Sequence, residues 1–173
     1  MLNPCIDKKK KEIYRFEPHG SIYLSNFNYN PDSFDNLLKK KIKNIMPDLT
    51  YITPNQFLPV IGFQSLDVNE LDTNHNIGDP NGFCLLWCIW FSYYKTMYLD
   101  LDIKKLTKKL IKSIRMKNIT YRNLIRNFSK EITDLRDIYL SKHNHDINDY
   151  LNNRINYETI TDIINDCFQK IDN

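Results

Sequence analysis

Cys84 occupies the most chemically loaded position in the chain. The run Phe83-Cys84-Leu85-Leu86-Trp87 begins directly after a loop holding Gly78, Asp79, Pro80, Asn81 and Gly82, so the cysteine falls in the first turn of an expected helix. A thiol placed there feels the positive end of the helix dipole, which favours the thiolate. The unpaired N–H groups of that turn could also stabilise an oxyanion. Nucleophilic chemistry is one reading of the residue. The other is packing as a small buried hydrophobe, the commonest fate of a free cysteine. Cys88 lies four residues on and shares the helix face, but no histidine or cysteine has the spacing to complete a metal site, so no metal or other cofactor is expected.

The elements that must position Cys84 can be read from the pattern. Glu12–Phe16 alternates polar and apolar residues as a strand does, entered from a turn at Asp7–Lys11. Glu17-Pro18-His19-Gly20 ends it and leaves a carboxylate at the strand terminus. Asn30 as N-cap and Pro31 as first helical residue open a helix with Phe34, Leu37, Leu38, Ile42 and Ile45 on one stripe, stopped by Pro47. Short extended pieces are expected around Tyr51–Ile52 and Val60–Val68, because Pro54 and Pro59 suit strand edges better than a helix. After the loop Asp72–Gly82, the segment FCLLWCIWFSYY is apolar all round and predicts a helix buried on every side. Three amphipathic helices follow, carrying Ile103 to Ile114, Leu124 to Ile138 and Ile160 to Ile171, with His143 and His145 in a polar turn between the last two. Trp87 and Trp90 read as core.

The chain has 173 residues, enough for one domain with a real core. Its net charge of +3 excludes an acidic tail and a strongly basic nucleic-acid arm. Four scattered cysteines are too few for a stapled secreted module, and no stretch reads as a signal peptide or a bilayer span. These features predict a soluble domain of a reducing compartment. Alanine is absent, glycine numbers 4, and Asn, Ile, Lys and Tyr are in excess, which is the signature of an AT-biased genome. The lysine-rich helix face Lys104, Lys105, Lys108, Lys109 and Lys112 is accordingly read as solvated, and a nucleic-acid partner is not expected.

Two short motifs, RFEPHG at 15–20 and DPNGFCLLW at 79–87, resemble the adenovirus protease and SUMO-protease clan of cysteine peptidases, and large-DNA-virus members most closely. The resemblance covers residues 5 to 100. It implies Cys84 as nucleophile and Glu17 as the acid that orients a catalytic histidine. It also implies an oxyanion glutamine, for which Gln64 is the nearest candidate. The clan's histidine would precede Met1, with Leu2–Ile6 as the remnant of its strand, and without an imidazole amide hydrolysis is crippled. His19, two residues from Glu17, and His75, in the loop before Cys84, are the only substitutes in reach.

These observations together predict an α+β, papain-like fold. It would hold a small mixed sheet packed on a central buried helix, and a helical C-terminal half. Residues 1–173 form one domain in this reading, with 1–100 as the peptidase-like core and 101–173 as a helical extension. The implied function is that of a viral thiol peptidase relative, truncated or inactive. It would act on or bind a polypeptide or ubiquitin-like protein, off the membrane, in the host cytoplasm or the virion. The alternative is a non-enzymatic interaction or virion-associated protein of an AT-rich large DNA virus.

Overall fold

Strand β2 (Glu12–Phe16) forms where expected but is buried on both faces, with Ile13, Tyr14, Arg15 and Phe16 all out of water. A computed structural model describes residues 3–21, 30–68 and 83–169. Strand β1 (Asn3–Asp7) pairs antiparallel with β2, from Asn3↔Phe16 to Asp7↔Glu12, through a tight turn in which Lys11 takes a positive φ of 53°. The chain crosses over through helix α1 (Pro31–Ile45) to strand β3 (Thr50–Ile52), which pairs parallel with β2 and completes a sheet of order β1-β2-β3.

Helix α1 begins as predicted. The Asn30 side chain accepts from the Ser33 N–H, Pro31 opens the first turn, and the helix ends at Ile45 before Pro47. Its apolar stripe does not pack as expected: Leu37 is 54% exposed and Ile45 72%. The buried residue is Asp35, gripped by Arg15 Nε at 2.7 Å, Arg15 Nη2 at 2.9 Å and the Tyr51 hydroxyl at 2.7 Å. Phe34, Leu38 and Ile42 of the stripe are half-buried, and a buried charge pair ties α1 to the sheet beside them. A second buried pair, Lys95 Nζ to Asp7 Oδ2 at 2.8 Å, joins the sheet to the central helix.

The region after β3 departs from the expected strands. Pro54–Phe57 forms helix α2 and Phe63–Val68 forms helix α3. Thr53 and Gln56 make a capping box, and Pro54 sits in the first turn, where its missing N–H costs nothing. A proline that excludes a helix interior starts a helix here.

Helix α4 (Cys84–Met97) follows the loop 72–82, which lies outside the described residues. It was expected to be buried on every side. The structure instead buries one face, Trp87, Cys88, Trp90, Phe91 and Lys95, and exposes Leu85, Ile89, Tyr93 and Met97 at four-residue intervals. Phe91 stacks on Phe16 at 4.2 Å between ring centroids, and Phe63 of α3 packs against Phe16, Trp87 and Trp90. Helix α5 (Ile103–Met116) is capped by the Asp102 carboxylate and buries Ile103, Leu106, Leu110 and Ile114 as its period predicts.

The chain divides into two compact units, Met1–Ile125 and Arg126–Asn173, with helix α6 (Tyr121–Lys142) running across the boundary. Within the second unit, the polar segment His143–Asp146 is the turn expected, α7 (Ile147–Leu151) starts on an Asp146 capping box directly after it, and α8 (Tyr157–Gln169) follows. Tyr139, Leu140 and Ile155 are its buried apolar residues among those described. The fold is mixed α+β, mostly helical, around a small three-stranded sheet.

Candidate functional site

The strand-end turn Glu17–Gly20 is closed by the Gly20 N–H on the Glu17 carbonyl at 3.0 Å. Gly20 has φ +117°, and a Cβ there would lie 2.2 Å from the Val60 carbonyl oxygen. A Cβ on Gly62, facing it, would lie 2.3 Å from the Gly20 nitrogen. Only two glycines allow the backbones to approach this closely. Their crossing is laced by the Gly62 N–H to the His19 carbonyl and the Gln64 N–H to the Pro18 carbonyl, both at 2.8 Å. The Ser65 hydroxyl donates to the same His19 carbonyl at 3.1 Å.

This lacing fixes the main chain of His19 and brings its ring to the start of α4. His19 Nε2 lies 3.5 Å from Cys84 Sγ. Gln64, 3% exposed, accepts the Phe83 N–H on Oε1 at 3.1 Å. Phe83 is the N-cap of α4 and has no side-chain oxygen to offer, so Gln64 supplies from α3 an acceptor for one of the helix's orphan N–H groups. Glu17 accepts the His19 main-chain N–H on Oε1 and the Arg15 guanidinium on Oε2, both at 3.3 Å.

Electrostatics at this cluster run against the expected thiolate. Burial pushes the Cys84 thiol above its ordinary pKa and the Glu17 carboxylate adds to the rise, although a main-chain hydrogen bond at Cys84 itself works the other way. Burial also holds the His19 imidazole below its ordinary value, outweighing the opposing pull of Glu17. Both directions favour the uncharged thiol and imidazole over a thiolate–imidazolium pair.

Cys84, Glu17 and Gln64 all stand at this one cluster, and His19 joins them. The sequence offers His19 only as a substitute, because a histidine two residues from Glu17 does not easily adopt the usual strand-to-strand pairing. The signal that could have found it is the pair Gly20 and Gly62, which lets the turn fold onto the loop before α3. His75 and Asp79 lie outside the described residues. His143 and His145 belong to the second unit, where they meet Asp166 and Asp149 at 3.1 and 3.4 Å. Among the described residues no group of three or more His, Cys, Asp or Glu could hold a metal ion, and no helix is long and apolar enough to cross a membrane.

The chain is similar to a protein of Acanthamoeba polyphaga mimivirus named as an ankyrin repeat protein, with 52% identity over 165 residues. The match covers 91% of this chain and 22% of that protein, so the chain spans about a fifth of the relative's length. No family model matches the chain, and no solved structure matches it. The similarity overturns the cysteine-peptidase resemblance read from RFEPHG and DPNGFCLLW, and with it the expectation of a thiol peptidase and hydrolase. The electrostatics run the same way: burial raises the Cys84 thiol and lowers the His19 imidazole, opposite to what an activated pair needs. The large-DNA-virus origin implied by the resemblance, with which the AT-biased composition agrees, is supported by the relative's source. The described helices of this chain do not recur as the 33-residue helix pairs of an ankyrin array.

Proposed function

We propose that the chain is a non-enzymatic protein-interaction domain of a large-DNA-virus protein, working in the host cytoplasm or in the virion. The observation that carries this reading is the 52% identity to a mimivirus protein named for ankyrin repeats. Ankyrin arrays present extended binding surfaces. The described helices of this chain do not follow that repeat, so the domain is one that accompanies such an array in a protein-binding chain. The domain binds a polypeptide, a class that includes ubiquitin-like proteins. Cys84, Gln64, Glu17 and His19 form the joint that holds the start of α4 against the strand-end turn, and the raised pKa of the thiol supports a packing role. The Phe16–Phe91 stack supports a papain-like placement of the small sheet on α4, without hydrolysis implied.

The test is affinity capture with the tagged full chain from virus-infected host cells, followed by reciprocal capture with each recovered protein. A specific protein partner, retained equally by Cys84→Ala, is the expected result. Cleavage of a peptide or isopeptide substrate that disappears in Cys84→Ala would overturn it.

A further inference from the structure

The first unit carries 18 Lys and Arg against 12 Asp and Glu, and the second 6 against 9, so the excess cation sits in the first. Much of it is on α5. Lys104, Lys105, Lys108, Lys109, Lys112 and Arg115 all fall within about 140° of arc at 3.6 residues per turn, and the helix has no acidic residue. All six are exposed. The repeated i,i+3 and i,i+4 like-charge pairs oppose helix formation, and Lys104 and Lys105 oppose the dipole as well.

The Asp102 cap and the buried apolar face hold the helix, but no described carboxylate pairs with these side chains. Lys9, Lys130, Arg136 and Arg154 each meet a carboxylate. Lys104, Lys105, Lys108, Lys112 and Arg115 make no ion pair with another described residue, and Lys109 lies over the Tyr98 ring at 3.9 Å. Codon drift accounts for abundant lysine but not for its segregation: the chain has 21 acidic residues and α5 has none. An open hollow of about 430 Å³ lies on this face, with Lys108, Lys112 and Arg115 beside Ile111 and Met116. Met116 is 75% exposed.

We propose that the outer face of α5 binds an acidic polypeptide segment that sets an apolar side chain on Ile111 and Met116 and its flanking carboxylates on Lys108, Lys112 and Arg115. This deepens, and rests on, the protein-interaction reading. A nucleic-acid backbone would match the charge but has no use for the apolar floor. The face also offers no free aromatic platform, because Tyr98 is covered by Lys109. Charge complementarity at such a face sets partner choice and association rate, and a central apolar anchor sets residence time.

The test selects random 16-residue peptides displayed on phage against the full chain, then measures the winners by fluorescence anisotropy. Peptides rich in Asp and Glu around one aliphatic or aromatic residue are expected. Lys108→Glu with Lys112→Glu should weaken them roughly tenfold or more, and Lys39→Glu with Lys40→Glu on α1 should not. Circular dichroism confirms that both variants remain folded, and Lys108→Gln with Lys112→Gln gives a milder loss of the same sign. If the winners bind the α5 variant as well as the parent, this site falls and the interaction reading stands. If no peptide is enriched, both fall. If a 20-base-pair DNA duplex displaces the winners at a lower concentration than unlabelled peptide does, the face belongs to nucleic acid and the proposal is overturned.

Discussion

A thiol 3.5 Å from an imidazole becomes an ion pair only where the site solvates the charges better than it solvates the neutral groups, and here burial moves both groups toward their neutral forms. Alkylation of Cys84 by iodoacetamide should follow a single titration above the usual thiol value of about 8.5. The Cys84→Ala chain supplies the background from the other cysteines. A rate already at its plateau at pH 7 would sink the neutral-pair account. His19 gives the matching stability signal. Its folded pKa lies below the ordinary 6.5, so the unfolded chain binds the proton more readily. Stability is then full above pH 6.5 and declines as pH falls through the folded value. Melting curves between pH 5 and 7.5 should show that slope for the parent and a flatter one for His19→Gln. Cys84 was legible in the sequence because a loop rich in Gly, Asn and Pro announces a helix start. Its electrostatics were not, since desolvation depends on what the fold packs around the group.

At the scale of elements, the helices with apolar periods were readable and the charged ties between them were not. Of the apolar residues read on α5, Ile103, Leu106, Leu110 and Ile114 are buried and Ile111 is half-buried, whereas α1 is held by Asp35 on Arg15 and Tyr51. Hydrophobic pattern cannot report a buried ion pair, because both partners read as surface residues. The two modes have different consequences. Asp35→Ala leaves Arg15 buried without its bidentate partner and should cost about 3 kcal/mol in urea unfolding. Leu37→Ala on the same helix should cost under about 1 kcal/mol. Similar losses from the two would show that α1 packs by its apolar stripe after all. The extended piece at Tyr51–Ile52 lies in β3, whereas Val60–Val68 holds α3 and the break at Pro54 holds α2. Proline forbids a helix interior yet favours a helix start, and the sequence alone leaves both open.

Over the whole chain, the two units differ in how deeply they exclude water. The first holds Phe16, Trp87, Phe91, Leu106 and Ile125 at complete burial, while the buried apolar residues described in the second, Tyr139, Leu140 and Ile155, lie at 5 to 8% exposure. Local opening costs less where fewer groups leave water. Native-state hydrogen exchange should therefore show greater protection in β2 and α4 than in α7 and α8. Equal protection throughout would mean that the units unfold together. The periodicity of the helical half shows in the sequence, but the division at Ile125 falls inside the uninterrupted pattern of α6, where no breaker residue marks it.

The crossing of Gly20 and Gly62 bears on how this sequence drifts. Glycine codons are rich in G and C, and a genome biased toward A and T erodes them, which leaves 4 in the chain and no alanine. Two of those 4 meet at one point, where any side chain would collide with main chain. Mutational pressure is thus halted by backbone geometry at a place that can be named. Among descendants of this gene, the two codons should be the last to yield, and they would yield together with the turn that holds His19.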